Sequence, residues 1–121
     1  MNIISYTAEH NIFRDGLRKF LDKEIVPHIE EWEEEGIVPR RFWKKMGEQG
    51  FLCTDIPEKY GGVGGDFLYS VIVCEELTKC NFSGLAASLH SDICVPYISS
   101  FGSEEQKQKY LPGCVSGDII T

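Results

Sequence analysis

The chain has 121 residues and a formal net charge of −7, with 42% hydrophobic and 26% charged residues. A domain of this length can bury a core, and this balance of hydrophobicity and charge is not that of a disordered chain. The acidic balance argues against nucleic-acid binding. We interpret the one cluster of cations as a solvated helix face: Arg40, Arg41, Lys44 and Lys45.

The first predicted helix begins after Thr7, which is a suitable N-cap residue. Its apolar residues recur with a period of about 3.6 and form one stripe: Phe13, Leu17, Phe20 and Leu21. Pro27 should kink or break this helix, which we expect to resume and to end at Gly36. A second helix is predicted from about Arg40 to Gln49, with three residues on its buried side: Phe42, Trp43 and Met46.

Four glycines lie within residues 61–65, which we predict to be a loop. A phosphate-binding role is not favoured, because no Lys-Ser or Lys-Thr pair follows as in a P-loop. The dinucleotide-binding fold is not favoured either, since no strand precedes the glycines. The sequence therefore predicts a structural turn.

The segment after this loop, from about Phe67 to Lys79, is so apolar that we expect a well-buried helix. One of its two adjacent acids, Glu75 or Glu76, should face inward toward a cation, because burying an unpaired carboxylate is costly. Three cysteines in or near this apolar region are predicted to be buried as small hydrophobic residues: Cys74, Cys80 and Cys94.

Two further helices complete the prediction. One spans about residues 84–101 and contains Pro96. The other begins at a capping box of Ser103 and Gln106 and should end near Leu111, because Pro112 follows. The β-branched residues within 118–121 indicate the beginning of a strand. The predicted fold class is all-α, a bundle of about five or six helices that forms one domain over residues 1–121.

The sequence contains no recognisable catalytic or metal-binding pattern. His10, His28 and His90 are dispersed, no H-E-x-x-H or C-x-x-C motif occurs, and no Ser or Cys has an identifiable base. We expect His10 and His28 on the surface, and His90 either hydrogen-bonded in the core or on a pocket wall. The odd number of cysteines favours a reducing compartment, the cytoplasm. Neither a signal peptide nor a membrane span is predicted.

The helix predicted at 84–101 carries the most suggestive pattern. Four of its residues share one face at spacings of 3, 4 and 7: Ala86, Leu89, His90 and Ile93. Small and apolar side chains on one face can line a cavity for an aliphatic chain, or they can let two helices pack closely. The pattern alone favours packing.

Several segments occur in the order and spacing of one enzyme family: residues 13–15 (FRD), 20–28 (FLDKEIVPH), 31–33 (EWE), 43–51 (WKKMGEQGF), 57–64 (PEKYGGVG) and 102–112 (GSEEQKQKYLP). They resemble the opening helices, the P-E-x-Y-G-G-x-G loop and the G-[ST]-E-E-Q-K-x-x-Y-L-P segment of acyl-CoA dehydrogenases. Each segment alone is a weak signal, but together they cover nearly the whole chain. The Leu-His-Ser sequence at 89–91 looks most like the long-chain branch of that family.

The resemblance implies more than the chain contains. Family members have this helical region, a middle β-domain that holds FAD, and a C-terminal helical domain that carries the catalytic Glu. We therefore expect an N-terminal domain of a longer protein, cut short by design or by proteolysis, with neither bound FAD nor activity of its own.

The full-length parent would oxidise a fatty acyl-CoA at its α,β bond, pass electrons to an electron-transfer flavoprotein and form a homotetramer. The matching helix of the family helps to line the acyl cavity. Four residues thereby become candidates for substrate binding: Ala86, Leu89, His90 and Ile93.

Two alternatives stay open. The first is a stand-alone helical module that binds a partner through an exposed apolar surface. The second is the same domain from an acyl-CoA oxidase or a flavin-dependent monooxygenase, which oxygen consumption would distinguish from a dehydrogenase.

Overall fold

The computed structural model describes residues 4–82 and 84–121, and every regular element in these two ranges is helical. Six α-helical segments are present: α1 (Ala8–Phe20), α2 (Ile29–Glu35), α3 (Arg40–Glu48), α4 (Phe67–Lys79), α5 (Val95–Phe101) and α6 (Glu104–Ser116). Two π-helical turns, Leu21–Ile25 and Leu89–Cys94, and two 3₁₀ turns, Val26–His28 and Glu58–Tyr60, complete them. The prediction of an all-α bundle is confirmed.

In the N-terminal half, helices begin and end at the residues that the sequence predicts. Thr7 caps α1 in a capping box, because its side chain accepts from the His10 backbone and the His10 ring accepts from the Thr7 N–H. The helix then changes to π and 3₁₀ geometry around Pro27 and resumes as α2. It ends at Gly36, whose φ of 74° is left-handed and therefore suits glycine.

The predicted end of the last helix near Leu111 is wrong. Ser103 and Gln106 do form the expected capping box, but α6 continues through Pro112 and ends at Gly117, whose φ is 85°. Pro112 is exposed, while Leu111 and another residue of the same turn, Cys114, are buried. Burial of these neighbours therefore outweighs the local cost of a proline inside a helix.

The predicted strand at 118–121 is also wrong, since no strand occurs in the part of the chain that the structure describes. A strand needs a partner to accept its hydrogen bonds, and the described residues offer none. The segment instead bonds back to the bundle. The Ile119 N–H donates to the Gly113 carbonyl at 3.0 Å, and the Thr121 N–H donates to His90 Nδ1 at 3.2 Å.

The core lies where α1 packs on α4 and where α6 packs on both α3 and α5. Its fully buried members come from all six helices and from the loop after α3: Leu17, Trp32, Met46, Leu52, Ile56, Ile72, Val95 and Leu111. The contact between α3 and α6 is closest at Gly47. A Cβ added there would lie 2.1 Å from the Ser116 carbonyl oxygen, so only glycine lets these backbones approach.

Helix α4 is less buried than its composition predicts. Its inner side is covered, but Phe67 is 74% exposed and Cys74 is also exposed. Cys80 and Cys94 are half-buried, so the prediction that these three cysteines are buried is wrong for Cys74 and only partly right for the others. The apolar outer side of α4 is left open because nothing in the described residues packs against it.

Candidate functional site

An apolar face runs along the helix that contains the second π turn. Four large apolar residues recur there at intervals of four, and they are 47%, 55%, 67% and 82% exposed: Leu89, Ile93, Tyr97 and Phe101. The last two are neighbours in space, with ring centroids 6.4 Å apart. We call these four residues the apolar face. Exposure of so many adjacent apolar side chains is typical of a surface that another molecule or domain covers.

The π turn at Leu89–Cys94 directly precedes the α-helical segment that contains Pro96. The Val95 N–H donates to the His90 carbonyl, a bond that is one residue longer than in an α-helix. Pro96 has no N–H to donate, and a wider turn before it leaves room for its ring. The turn therefore lets one continuous helix carry the apolar face.

His90, the residue after Leu89, points into the core and not outward with the apolar face. It is only 1% exposed, and its ring packs edge-on against Trp43 with centroids 5.8 Å apart. Its Nε2 lies 3.0 Å from the Cys114 carbonyl oxygen, and its Nδ1 lies 2.9 Å from Thr121 Oγ1. Of the two alternatives for His90, the structure shows the hydrogen-bonded core residue.

Two open cavities lie between α4 and the helix of the apolar face. One, of about 400 Å³, is lined by Ala86, Leu85 and Cys74 among others. The other, of about 550 Å³, is lined mostly by residues of α4, including Phe67, and by Asp92 of the facing helix. Partial burial raises the pKa of Asp92, although a hydrogen bond with Ser70 opposes this shift. Ala86 is thus half-buried beside the face, whereas Leu89 and Ile93 project from it.

Glu76 is the buried acid of α4, as predicted for one of the two adjacent acids. It is 2% exposed, and Arg18 donates to both of its oxygens at 2.7 and 3.2 Å. Arg14 donates at 3.1 Å, and Lys79 Nζ lies 3.5 Å away. Burial acts to raise the pKa of Glu76, but the hydrogen bonds from Arg18 and Arg14 outweigh it and hold that pKa below its ordinary value. Both of its oxygens accept from cationic side chains, so it is a structural acid.

The glycine-rich loop is closed on itself. The amides of Gly62, Gly64 and Gly65 donate to carbonyls of the same loop region, at 3.1, 2.9 and 2.8 Å. A Cβ on Gly62 would lie 1.9 Å from the Ile56 carbonyl oxygen. Because its amides are already used, the loop does not fit a phosphate or the pyrophosphate of a dinucleotide. It is the structural turn that the sequence predicts.

The remaining titratable residues do not form a second site. Burial raises the pKa of the Cys53 thiol to about 12, which makes it a poor nucleophile. Within 4–82 and 84–121, no group of three His, Cys, Asp or Glu side chains is placed to hold a metal ion. Nor do these ranges contain a helix that is both long and apolar enough to cross a membrane.

The prediction that His10 lies on the surface is wrong, because its side chain is only 3% exposed. Its Nε2 lies 3.0 Å from Asp66 Oδ1, so it joins the beginnings of α1 and α4. The sequence does contain a signal for this position. His10 is the third helical residue after Thr7, and in a capping box the side chain at that position accepts a hydrogen bond from the N-cap backbone N–H. His28 is half-buried and stacks on Trp32 at 5.3 Å.

Comparison with known proteins gives a consistent result. The family model described as "Acyl-CoA dehydrogenase, N-terminal domain" matches residues 7–118. A curated relative, the long-chain specific acyl-CoA dehydrogenase, mitochondrial, of Mus musculus, is 45% identical over 115 residues, which make up 95% of this chain and 27% of that protein.

Solved structures agree with this match. An acyl-CoA dehydrogenase from Geobacillus kaustophilus has 56% identity and a TM-score of 0.91 over 95% of this chain and 30% of that chain. A glutaryl-CoA dehydrogenase from Mycobacterium smegmatis, in complex with FADH2, has 27% identity and a TM-score of 0.86 over the same shares of the two chains, 95% and 30%. The chain therefore spans 27–30% of the length of these relatives.

Proposed function

Since the chain belongs to the acyl-CoA dehydrogenase family through its N-terminal domain, we propose that it forms one wall of the acyl pocket in a flavin-dependent acyl-CoA dehydrogenase. The proposed reaction is α,β-dehydrogenation of a fatty acyl-CoA thioester. In this proposal residues 1–121 act as the first of three regions and have no activity on their own.

The observation that carries the proposal is the apolar face. Leu89 and Ile93 project from a helix whose other side is anchored in the core, so they form a firm surface of aliphatic carbon. Each methylene of an acyl chain buried against such a surface contributes about 0.8 kcal/mol to binding. A site of this kind selects for chain length and supplies no proton-transfer group, as expected of a wall that holds substrate away from the reacting atoms.

Two details favour a long-chain substrate. His90 points into the core, so its bulk does not narrow the proposed pocket. Ala86, one turn before Leu89, is the smallest residue of the candidate set, and it borders an open cavity. The 45% identity to a relative named for long-chain substrates supports the same class.

We propose that FAD binds outside residues 1–121. The glycine-rich loop does not fit the cofactor, since its amides are used within the loop. When bound, FAD would accept the hydride, and the only role we assign to this chain is holding the acyl chain. Electron-transfer flavoprotein as the electron acceptor and a homotetrameric assembly follow from the family and belong to the same proposal.

We also propose a reducing compartment, the cytoplasm, because all five cysteines are unpaired: Cys53, Cys74, Cys80, Cys94 and Cys114. The mouse relative is named a mitochondrial protein, and the mitochondrion is therefore the alternative location. Fractionation of the source cells with detection of this protein distinguishes the two.

Replacing Leu89 by tryptophan is expected to shorten the acyl chains that the enzyme accepts. The larger side chain would fill the space along the apolar face, so kcat/KM for long acyl-CoAs should fall at least about tenfold, the cost of roughly two buried methylenes. Short acyl-CoAs should react almost unchanged. The measurement is anaerobic flavin reduction by an acyl-CoA series, with the protein expressed from the whole reading frame.

The matched control is Ile12→Trp, because Ile12 is also a highly exposed aliphatic residue but lies on α1, away from the apolar face. It should leave the chain-length profile as it is in the wild type. An unchanged profile in Leu89→Trp, or the same change in both variants, would refute the acyl-pocket assignment.

The apolar face also supports the second candidate, a stand-alone interaction module, because an exposed surface of this kind drives association. The discriminating observation is the gene. A reading frame that stops shortly after the codon for Thr121 would favour the interaction module, and one that continues into a flavin-binding region would favour the dehydrogenase.

A further inference from the structure

We propose that His90 is a positioning residue that holds the apolar face in a fixed place relative to the segment leaving the bundle at Thr121. The inference rests on the proposed function for its consequence, but its geometry is independent of that function. The side chain of His90 is buried in the core and lines neither of the two cavities described above.

The hydrogen bonds of His90 determine where its ring carries a proton. The Thr121 N–H donates to Nδ1 at 3.2 Å, so Nδ1 must be an acceptor with a free lone pair. The neutral ring then carries its hydrogen on Nε2, which donates to the Cys114 carbonyl at 3.0 Å. Thr121 Oγ1 also lies 2.9 Å from Nδ1, where its O–H can only share that one lone pair with the Thr121 N–H. Each ring nitrogen therefore has a defined partner of the right kind.

These partners belong to two different parts of the chain. The Cys114 carbonyl is one of the last four carbonyls of α6. No N–H of the same helix donates to these carbonyls, so they need a donor from elsewhere. Thr121 lies beyond the end of α6, in the segment that turns back onto the bundle. One buried ring thus joins the end of α6 and the departing segment to the π turn.

A second tie holds the same turn from the next residue. Ser91 Oγ accepts from the Cys53 N–H at 3.0 Å, and both residues are buried. Cys53 has a φ of 51°, an uncommon conformation for a residue that is not glycine. His90 and Ser91 therefore fasten the inner side of the π turn, while Leu89 and Ile93 occupy its outer side.

This arrangement couples the acyl wall to the rest of the proposed enzyme. The residues after Thr121 would lead to the flavin-binding region, so the position of Leu89 relative to the flavin would depend on the His90 bonds. A misplacement of about 1 Å between substrate and reacting group can cost about 100-fold in rate. His90 would therefore affect catalysis through the placement of the wall, without contact with substrate.

Two substitutions separate the two bonds. The amide oxygen of His90→Asn can take the place of Nδ1 and accept from Thr121, whereas the amide NH₂ of His90→Gln can take the place of Nε2 and donate to Cys114. His90→Leu removes both bonds. The matched control is His10→Asn, because His10 is the other buried histidine with partners on both nitrogens and lies at the beginning of α1.

The first test is NMR of the 121-residue chain. Nitrogen chemical shifts of the His90 ring should show the proton on Nε2, and the Thr121 amide should exchange about tenfold faster in His90→Gln and His90→Leu than in the wild type. Exchange should stay near the wild-type rate in His90→Asn and His10→Asn. A proton on Nδ1, or equal Thr121 exchange in all variants, would overturn the inference.

The second test uses the protein from the whole reading frame. His90→Leu and His90→Gln should lower kcat for long acyl-CoAs at least about tenfold with KM changed less than about twofold, and His90→Asn should retain most of the activity. His10→Asn should reduce stability without this kinetic change. An effect on stability alone would make His90 a structural residue and overturn the proposal. A wild-type protein without flavin would instead overturn the proposed function. The NMR measurements do not depend on flavin, so they would still test whether His90 makes these two hydrogen bonds.

Discussion

Replacing Gly47 by alanine is expected to lower the free energy of unfolding by about 3 kcal/mol, near the upper end for an overpacked core. The added Cβ would lie 2.1 Å from the Ser116 carbonyl oxygen and 2.7 Å from the Gly117 nitrogen, so α3 and α6 would have to move apart. Both obstacles are backbone atoms, which no rotamer change can remove. Urea denaturation followed by circular dichroism measures the loss, together with a fall in Tm of roughly 10 °C.

Gly16→Ala is the matched control, since Gly16 is also a helical glycine but has nothing within 4 Å of its added Cβ. It should stabilise the protein by about 0.5–1 kcal/mol, because alanine favours the helix more than glycine does. Gly47→Ala and Gly16→Ala should therefore have opposite signs. If Gly47→Ala were neutral, the close approach of α3 and α6 would be wrong.

Glu76→Gln is expected to destabilise the protein by about 2–3 kcal/mol at about pH 7. The substitution keeps the shape of the side chain but removes the charge that Arg14, Arg18 and Lys79 surround. Breaking a buried ion pair commonly costs about 3–5 kcal/mol of stability. We expect a cost at or below the lower end of that range, because Arg18 and Lys79 are about half exposed and can be hydrated when the charge of Glu76 is removed. Glu75→Gln is the control, since the Glu75 carboxylate is 44% exposed and should change stability by less than about 1 kcal/mol.

The pH dependence of Glu76→Gln follows from the lowered pKa of Glu76. Its carboxyl titrates below its ordinary value of 4.5 in the folded protein, so the unfolded chain binds the proton first as pH falls. The stability that the ionised group contributes is complete above that ordinary value and is lost as pH falls through the folded value. The gap between wild type and Glu76→Gln should be constant above about pH 5 and shrink at lower pH. A gap that widens toward low pH would show the opposite shift.

The fold was predictable where short-range chemistry decides it. The caps at Thr7, Ser103 and Gly36 are local, and the structure places all three as predicted. Pro112 was misjudged because long-range burial of Leu111 outweighs a local rule. The strand at 118–121 was misjudged because a strand depends on a partner that the described residues do not supply.

The candidate site was only partly predictable. The spacing of Ala86, Leu89, His90 and Ile93 predicted one shared face, and this prediction is wrong for His90, whose side chain is buried while Leu89 and Ile93 are exposed. A periodic pattern also does not show the π turn in this helix. Tyr97 and Phe101 were missed, although they continue the same interval of four residues. Whether such a face packs inward or stays open depends on what covers it, which periodicity cannot tell.

The most direct test of the central proposal is the absorbance spectrum of the protein expressed from the whole reading frame, before and after anaerobic addition of acyl-CoAs. We expect a yellow flavoprotein that a long-chain acyl-CoA bleaches, with slow reaction of the reduced flavin with oxygen. Rapid oxygen consumption would indicate the oxidase or monooxygenase relatives instead. A colourless protein, or a flavin that no acyl-CoA reduces, would contradict the assignment of the apolar face to an acyl pocket.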